Sequence, residues 1–153
     1  MKLRDSIAIL VTCFGPGLAV DPVLDPVPVC DVVTKWKDFD QQTVAVFGRY
    51  SFRQTGRWLD EESCGGKAER GVLWLAADPK GAPRPPDAIQ INEGSLYRKF
   101  DVMKQKTVLG SFRFGSTDYD RWAVVYGRVE MRKDSKNYLV YRGDGAIFFF
   151  AGK

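Results

Sequence analysis

The stretch Thr43–Arg53, TVAVFGRYSFR, decides the fold of this chain. Valines and aromatic residues dominate it and it contains no proline, a composition typical of a β-strand on a half-buried sheet. A single glycine, Gly48, interrupts the run at the point where we expect a bulge or a sharp bend. The pattern returns near the end of the chain, where AVVYGRV at residues 123–129 echoes VAVFGRY at residues 44–50. Two strands that share this apolar pattern and its central glycine predict a small closed sheet.

Two further strands follow the first one directly. A Gln-Thr-Gly turn leads into residues 57–59, which restart an extended segment and predict a hairpin with the first strand. Residues 71–77, GVLWLAA, form an apolar run short enough for a third, buried strand. Residues 78–87 contain four prolines, so they cannot continue a ladder and are expected to form a surface loop.

One helix is predicted after this loop. Within residues 93–106, the apolar residues Leu96, Phe100 and Met103 follow helical spacing, with lysines and arginine on the other faces. The sheet then resumes: residues 122–132 predict the echo strand, and residues 138–150 predict a final strand or a bent pair of strands.

Two stretches near the end of the chain complete the prediction. Residues 107–115 predict a lead-in or edge strand. Residues 146–151, AIFFFA, are apolar enough to be expected inside the sheet, because an exposed strand of this kind promotes aggregation.

The element order and the glycine-bent first strand resemble the oligonucleotide/oligosaccharide-binding (OB) fold, a five-stranded Greek-key barrel with a helix between strands three and four. The fold class is therefore predicted as mostly β, with five or six strands. The resemblance covers roughly residues 43–150 and implies that the first and fourth strands are neighbours. The extra stretch at residues 107–115 leaves lipocalin-like and avidin-like barrels open as alternatives.

The first 19 residues predict a signal peptide. Lys2 and Arg4 precede an apolar run at residues 7–14 that is too short to span a bilayer, and small residues at positions 17 and 19 suit cleavage after Ala19. A lipoprotein variant that uses Cys13 is the alternative. The prediction is a secreted or periplasmic protein with no membrane span after cleavage.

Residues 20–29 hold three prolines and predict an extended spacer, so the single barrel domain is expected at residues 30–153, starting with a turn or two of helix. Cleavage leaves one pair of cysteines, Cys30 and Cys64, for which a disulfide is predicted. The arrangement also resembles small exported bacterial proteins of uncharacterised family, a likeness that implies no activity.

Composition limits the kinds of partner and of catalytic or metal site that the chain can have. The 153 residues carry a formal net charge of +4, which permits anionic partners without requiring them. The chain has no histidine, so it lacks the commonest general base and the commonest zinc ligand. Two cysteines without histidine cannot complete a metal site or a catalytic dyad. We predict no cofactor, no metal and no catalytic residue.

The OB resemblance implies a ligand surface across strands two and three, between the first hairpin loop and the loop that joins the last two strands. Aromatic residues beside cations suit stacking against either bases or sugars. Arg57 and Trp58 at the hairpin tip lead this set, which is Arg57, Trp58, Tyr50, Phe52, Arg53, Trp74, Lys133 and Lys136. The alternative, that each aromatic fills the barrel or covers one end, stays open.

Three classes of function follow. The first is a binding module of the cell envelope for an oligosaccharide, a peptide or another extracellular ligand. The second is a structural or protein-interaction domain. The third is a binder of single-stranded nucleic acid or an OB-type nuclease, for which the chain supplies carboxylates and arginines without a distinctive spacing: Asp38, Asp40, Glu61, Glu130, Arg49 and Arg128.

Overall fold

The computed structural model of the protein describes residues 23–64, 69–86, 90–106, 120–134 and 136–150. The predicted signal peptide and the predicted edge strand at residues 107–115 lie outside the described residues. Within these ranges the strands are β1 (Val23–Leu24), β2 (Val27–Pro28), β3 (Thr43–Arg53), β4 (Gly56–Cys64), β5 (Glu69–Ala77), β6 (Gln90–Ile91), β7 (Asp120–Met131), β8 (Asn137–Tyr141) and β9 (Ile147–Phe150). The helices are α1 (Val29–Thr34), α2 (Trp36–Phe39) and α3 (Glu93–Lys106), with a 3-10 turn at Asp144–Ala146.

Five strands close into a barrel in the order β3, β4, β5, β8, β7 and back to β3. Neighbours are antiparallel except β5 and β8, which run parallel. The helix α3 lies between β5 and β7, which are the third and fourth barrel strands in chain order. The predicted five-stranded Greek-key barrel of OB type is therefore confirmed.

The echo between the two glycine-containing stretches reflects direct pairing. Strand β3 pairs with β7 from Thr43 to Ser51, which places Val46 opposite Val125. Each strand alternates inward and outward residues, so matched apolar patterns bring the two valines to the same face. The predicted contact between the first and fourth strands is confirmed.

Of the bulge or sharp bend predicted at Gly48, the bulge is absent from the pairing with β7. The β3–β7 register has no shift at Gly48, and the irregularity of the sheet lies between Glu61 and Cys64 instead. Gly48 faces the first residue of α1: a Cβ there would lie 2.6 Å from Cγ2 of Val29. A glycine is needed at this position because α1 approaches the strand closely.

The helices α1 and α3 contact different surfaces of the barrel. Val29 and Val32 of α1 are fully buried in the interior core, which includes Leu59, Leu73 and Leu139. Helix α3 packs through its predicted apolar face against the outside of β3 and β7, in a second core of Leu96, Phe100, Met103, Ala45, Phe47 and Val124. Trp58, Trp74 and Tyr138 lie on the outer face of β4, β5 and β8. They belong to neither core and are partly exposed.

The described part of the expected spacer is not a free linker. Strand β1 pairs with β6, β2 pairs in parallel with β3, and Val29 belongs to the interior core. Asp25 also accepts hydrogen bonds from Ser95 and Lys99 of α3, each at 2.7 Å. The prolines limit this segment to two short pairings, and these attach residues 23–29 to the barrel domain.

The final strand differs in position from its prediction. Residues 138–150 form the expected bent pair, β8 and β9, separated by the 3-10 turn. Strand β9 pairs with β7 and is the last strand in the order of the sheet, and Phe149 is half-exposed. The expectation that all of this apolar stretch lies inside the sheet is therefore wrong, because the five barrel strands close without β9.

The predicted cysteine pair is confirmed. Cys30 of α1 and Cys64 at the end of β4 form a disulfide, with their Cα atoms 5.1 Å apart. The disulfide links α1, which packs into the barrel interior, to the end of β4. In the part of the chain that the structure describes, no helix has the length and apolar character needed to cross a membrane.

Candidate functional site

Three aromatic side chains from adjacent strands form a row on the outer face of the barrel. Trp58 of β4 is the register partner of Trp74 of β5, and Trp74 is the partner of Tyr138 of β8. Each stands next in sequence to a core leucine, so each points away from the barrel interior. The two indole rings lie 5.3 Å apart at an angle of 54°. We call Trp58, Trp74 and Tyr138 the aromatic strip.

Each member of the aromatic strip has a cation over its ring. The guanidinium of Arg53 lies 5.9 Å from the centre of Trp58, and Nζ of Lys136 lies 4.9 Å from that of Trp74. Arg132 lies 4.2 Å from the ring centre of Tyr138. The quadrupole of an aromatic ring attracts a cation to its face, which holds these charges close to the strip. The surface therefore offers flat apolar faces and positive charge together.

A buried carboxylate fixes the first ring of the strip. Asp60 is fully buried, and its Oδ2 accepts a hydrogen bond from Nε1 of Trp58 at 3.3 Å. Arg49 donates to both carboxylate oxygens, from Nε at 2.9 Å and from Nη2 at 3.3 Å, and Arg70 also donates to Oδ2. A buried charge needs such partners, because its lost hydration must be replaced by hydrogen bonds. The indole of Trp58 is thus held in one orientation.

The far end of the strip is held by a surface hydrogen bond. The hydroxyl of Tyr138 donates to Oδ2 of Asp134 at 2.8 Å. This bond raises the pKa of Tyr138 above its ordinary value of 10.0 and lowers that of Asp134 below 3.8. Tyr138 therefore stays protonated across the neutral range, with its ring neutral beneath Arg132.

The structure separates the predicted ligand residues into two places. Four of them lie at the aromatic strip: Trp58, Trp74, Arg53 and Lys136. Lys133 is exposed in the turn between β7 and β8, close in sequence to Lys136. Whether any of them binds a ligand stays a prediction.

The other three predicted residues lie toward the β3–β4 hairpin end of the barrel. Tyr50 is buried in the interior core, and its ring packs 5.3 Å from that of Phe149. Phe52 is 47% exposed beneath the guanidinium of Arg57, which also donates to the hydroxyl of Tyr141 at 3.1 Å. Arg57 and Trp58 are neighbours on β4 and therefore point to opposite faces of the strand.

Sequence reasoning did not select three residues that complete the strip. Tyr138 and Arg132 flank the turn that holds the predicted lysines, and Asp60 follows Trp58 by two positions on β4. The available signal was strand alternation: Trp58, Asp60, Trp74 and Tyr138 each alternate with an inward-facing residue. Alternation alone does not bring these residues together, because that step also requires the register of three strands, which cannot be read from the sequence.

The carboxylates and arginines considered for a nuclease are dispersed in the structure. Glu130 pairs with Arg128 at 2.6 Å, and Arg49 is engaged by Asp60 and Glu62. Glu61 accepts a hydrogen bond from the backbone of Cys30. The described residues do contain one group with metal-ligand geometry, Cys30, Glu61 and Cys64, but its two sulfur atoms are joined in the disulfide and so are not thiolates.

Comparisons of this chain with protein-family models, with curated proteins and with solved structures find no match in any of the three.

Proposed function

We propose that this protein is an exported binding module that takes an extended, acidic oligosaccharide across the aromatic strip. The ligand stacks its sugar rings on Trp58 and Trp74 and directs its carboxylate or sulfate groups to the cations beside them. Sugar rings offer flat apolar faces with polar edges, which is the surface that an indole complements.

The observation that carries the proposal is the repeated pairing of an outward ring with a cation on three adjacent strands. A single exposed aromatic on a barrel is ordinary, but three in register form a continuous surface that spans two strand spacings, or roughly 10 Å at ~4.8 Å per spacing. An extended polymer fits such a surface better than a compact ligand does. Asp60 supports the proposal because a fixed indole loses little conformational entropy on binding.

Two features support export. Disulfides persist in oxidising compartments, and this protein has one between Cys30 and Cys64. The amino-terminal sequence has the charged, apolar and small-residue order of a signal peptide. Export and cleavage belong to the proposal, and amino-terminal sequencing of protein recovered from an expressing cell's envelope tests them directly.

The binding claim is tested by measuring affinity for three polymers: an oligogalacturonate, a neutral cello-oligosaccharide of equal length and an oligo(dT). Each is titrated at ~50 and ~200 mM salt, because neutralising contacts weaken as salt rises. We expect the oligogalacturonate to bind more tightly than the neutral chain, with affinity that falls at high salt. Binding of oligo(dT) alone, with a steep salt dependence, selects the nucleic-acid function instead, and no binding to any polymer refutes the binding module.

The site is tested by Trp74→Ala. Removing one stacking platform costs roughly 1–3 kcal/mol, so the affinity for oligogalacturonate should fall about fivefold to 150-fold. Trp36→Ala is the matched control, because Trp36 is also a partly exposed tryptophan beside a lysine, on α2 and outside the strip. Equal loss of affinity in both variants contradicts the proposed site.

A further inference from the structure

A cavity lies apart from the aromatic strip. It is a groove of about 440 Å³ between α3 and the chain segment that carries α1, and no residue of the strip lines it. A volume of this size is within the range of small-molecule sites, roughly 300–1,000 Å³. Residues from β2, α1, β4 and α3 contribute to it, so four elements of the fold fix its shape.

The two walls of the groove carry opposite charges. Asp31 of α1 and Glu61 of β4 contribute carboxylates, and α3 contributes Arg98 and Lys99. Glu61 is almost buried and is oriented by the backbone N–H of Cys30, which donates to its Oε2 at 3.1 Å. Lys99 is positioned by Asp25 and by the carbonyl oxygen of Pro26, each 2.7 Å from its Nζ. The two walls are therefore held at fixed places by the rest of the structure.

The lining between these charges is partly apolar. Met103 is almost completely buried, whereas Val102, its neighbour on α3, is 50% exposed and also lines the groove. An exposed valine beside a cavity favours contact with an apolar group of a ligand, because that contact removes both surfaces from water. The groove thus combines an anionic wall, a cationic wall and an apolar patch.

We propose that this groove binds a short zwitterionic peptide with apolar side chains. The peptide ammonium faces Asp31 and Glu61, its carboxylate faces Arg98 and Lys99, and a side chain contacts Val102. A single ion would be attracted by one wall and repelled by the other, whereas a molecule with both charges matches the two walls at once. The proposal concerns a site separate from the aromatic strip and does not depend on the oligosaccharide function.

The test uses the dipeptide Leu-Leu with two matched ligands, N-acetyl-Leu-Leu, which lacks the ammonium, and Leu-Leu-amide, which lacks the carboxylate. Titrations of the whole protein are followed by ¹⁵N NMR. We expect saturable shifts in the amides of residues 29–31 and 95–103 with Leu-Leu, and about tenfold weaker binding of each blocked peptide. Equal affinity for a blocked peptide and for Leu-Leu overturns the proposal, as does the absence of saturable shifts in these residues.

Substitutions in the two walls test which residues contact the ammonium and the carboxylate of the peptide. Asp31→Asn and Arg98→Gln should each weaken Leu-Leu about tenfold. Both positions are exposed, so the variants should keep the wild-type spectrum elsewhere. Asp38→Asn and Arg142→Gln remove equally exposed charges outside the groove and should bind as the wild type does. Trp74→Ala should leave Leu-Leu binding unchanged, so this test does not depend on whether the aromatic strip binds an oligosaccharide. Unaltered binding of Leu-Leu to Asp31→Asn and Arg98→Gln contradicts the proposal.

Discussion

Asp60 links the stability of the barrel to the shape of its outer face. Its carboxylate is completely buried on an outward-pointing position of β4, where Arg49, Arg70 and Trp58 surround it. Removing one partner of a buried ion pair is costly because the other charge stays without compensation. The residue therefore stabilises the fold and orients the first ring of the aromatic strip.

Asp60→Asn should lower the free energy of unfolding by about 3 kcal/mol, because the variant keeps the volume and loses the charge that compensates Arg49. Urea denaturation measures this change, and the indole ¹⁵N–¹H resonance of Trp58 should shift as its acceptor changes. Glu62→Gln is the control: Glu62 pairs with the same arginine at 3.0 Å but is partly exposed, so its loss should cost less than ~1 kcal/mol. Equal effects of the two substitutions would contradict the role assigned to Asp60.

Tyr138 provides a pH-dependent test of the strip. Because Asp134 accepts a hydrogen bond from its hydroxyl, the pKa of Tyr138 is higher in the folded protein than its ordinary value of 10.0. The stabilisation from this bond is complete below pH 10 and is lost as the pH rises through the folded pKa. Alkaline absorbance titration, with Tyr138→Phe subtracted to isolate this tyrosine, should show the raised pKa, and Asp134→Asn should lower it. An unchanged titration in Asp134→Asn would exclude the hydrogen bond as the cause.

At the scale of single elements, β7 depends on a close approach to β8. A Cβ at Gly127 would lie 2.5 Å from the carbonyl oxygen of Val140, which is a backbone atom and cannot move without moving its strand. Gly127→Ala should therefore destabilise the barrel by roughly 1–3 kcal/mol. Gly145→Ala is the control, because no atom of the described residues lies within 4 Å of a Cβ there, and its thermal midpoint should stay near that of the wild type. A Gly127→Ala protein as stable as Gly145→Ala would contradict the packing of β7 on β8.

Elements were predictable from the sequence where one physical signal decided them. The helical period of Leu96, Phe100 and Met103 predicted α3 at its observed bounds, and the apolar echo predicted the pairing of β3 with β7. Cysteine number predicted the disulfide. The pairing of β2 with β3 was missed because it needs few backbone hydrogen bonds and leaves no pattern in a proline-rich segment.

The candidate site was predictable only in part. The tryptophans of β4 and β5 were expected on the ligand surface and do point outward, but Tyr50 was grouped with them although it shares the inward phase of Val46. Alternation along β3 contained that information. Tyr138 could not be added, because its place beside Trp74 depends on the parallel pairing of β5 with β8, which joins residues more than 60 positions apart in the sequence.

For the whole molecule, the arrangement of its elements covers some faces of the barrel and leaves others exposed. Helix α1 closes the barrel from within, α3 covers the outside of β3 and β7, and the aromatic strip stays partly exposed on β4, β5 and β8. An exposed apolar surface that persists beside a well-packed core marks a site of interaction. We propose that this face, rather than the barrel mouth or the helices, receives the polymer.

The most direct measurement follows the four tryptophan indole resonances while oligogalacturonate is added to ¹⁵N-labelled protein. The resonances of Trp58 and Trp74 should shift together and saturate at one concentration. Those of Trp36 on α2, and of Trp122, which packs against Phe47 and Phe100, should stay in place. Saturable shifts at Trp36 or Trp122 with none at Trp58 and Trp74 would contradict the account.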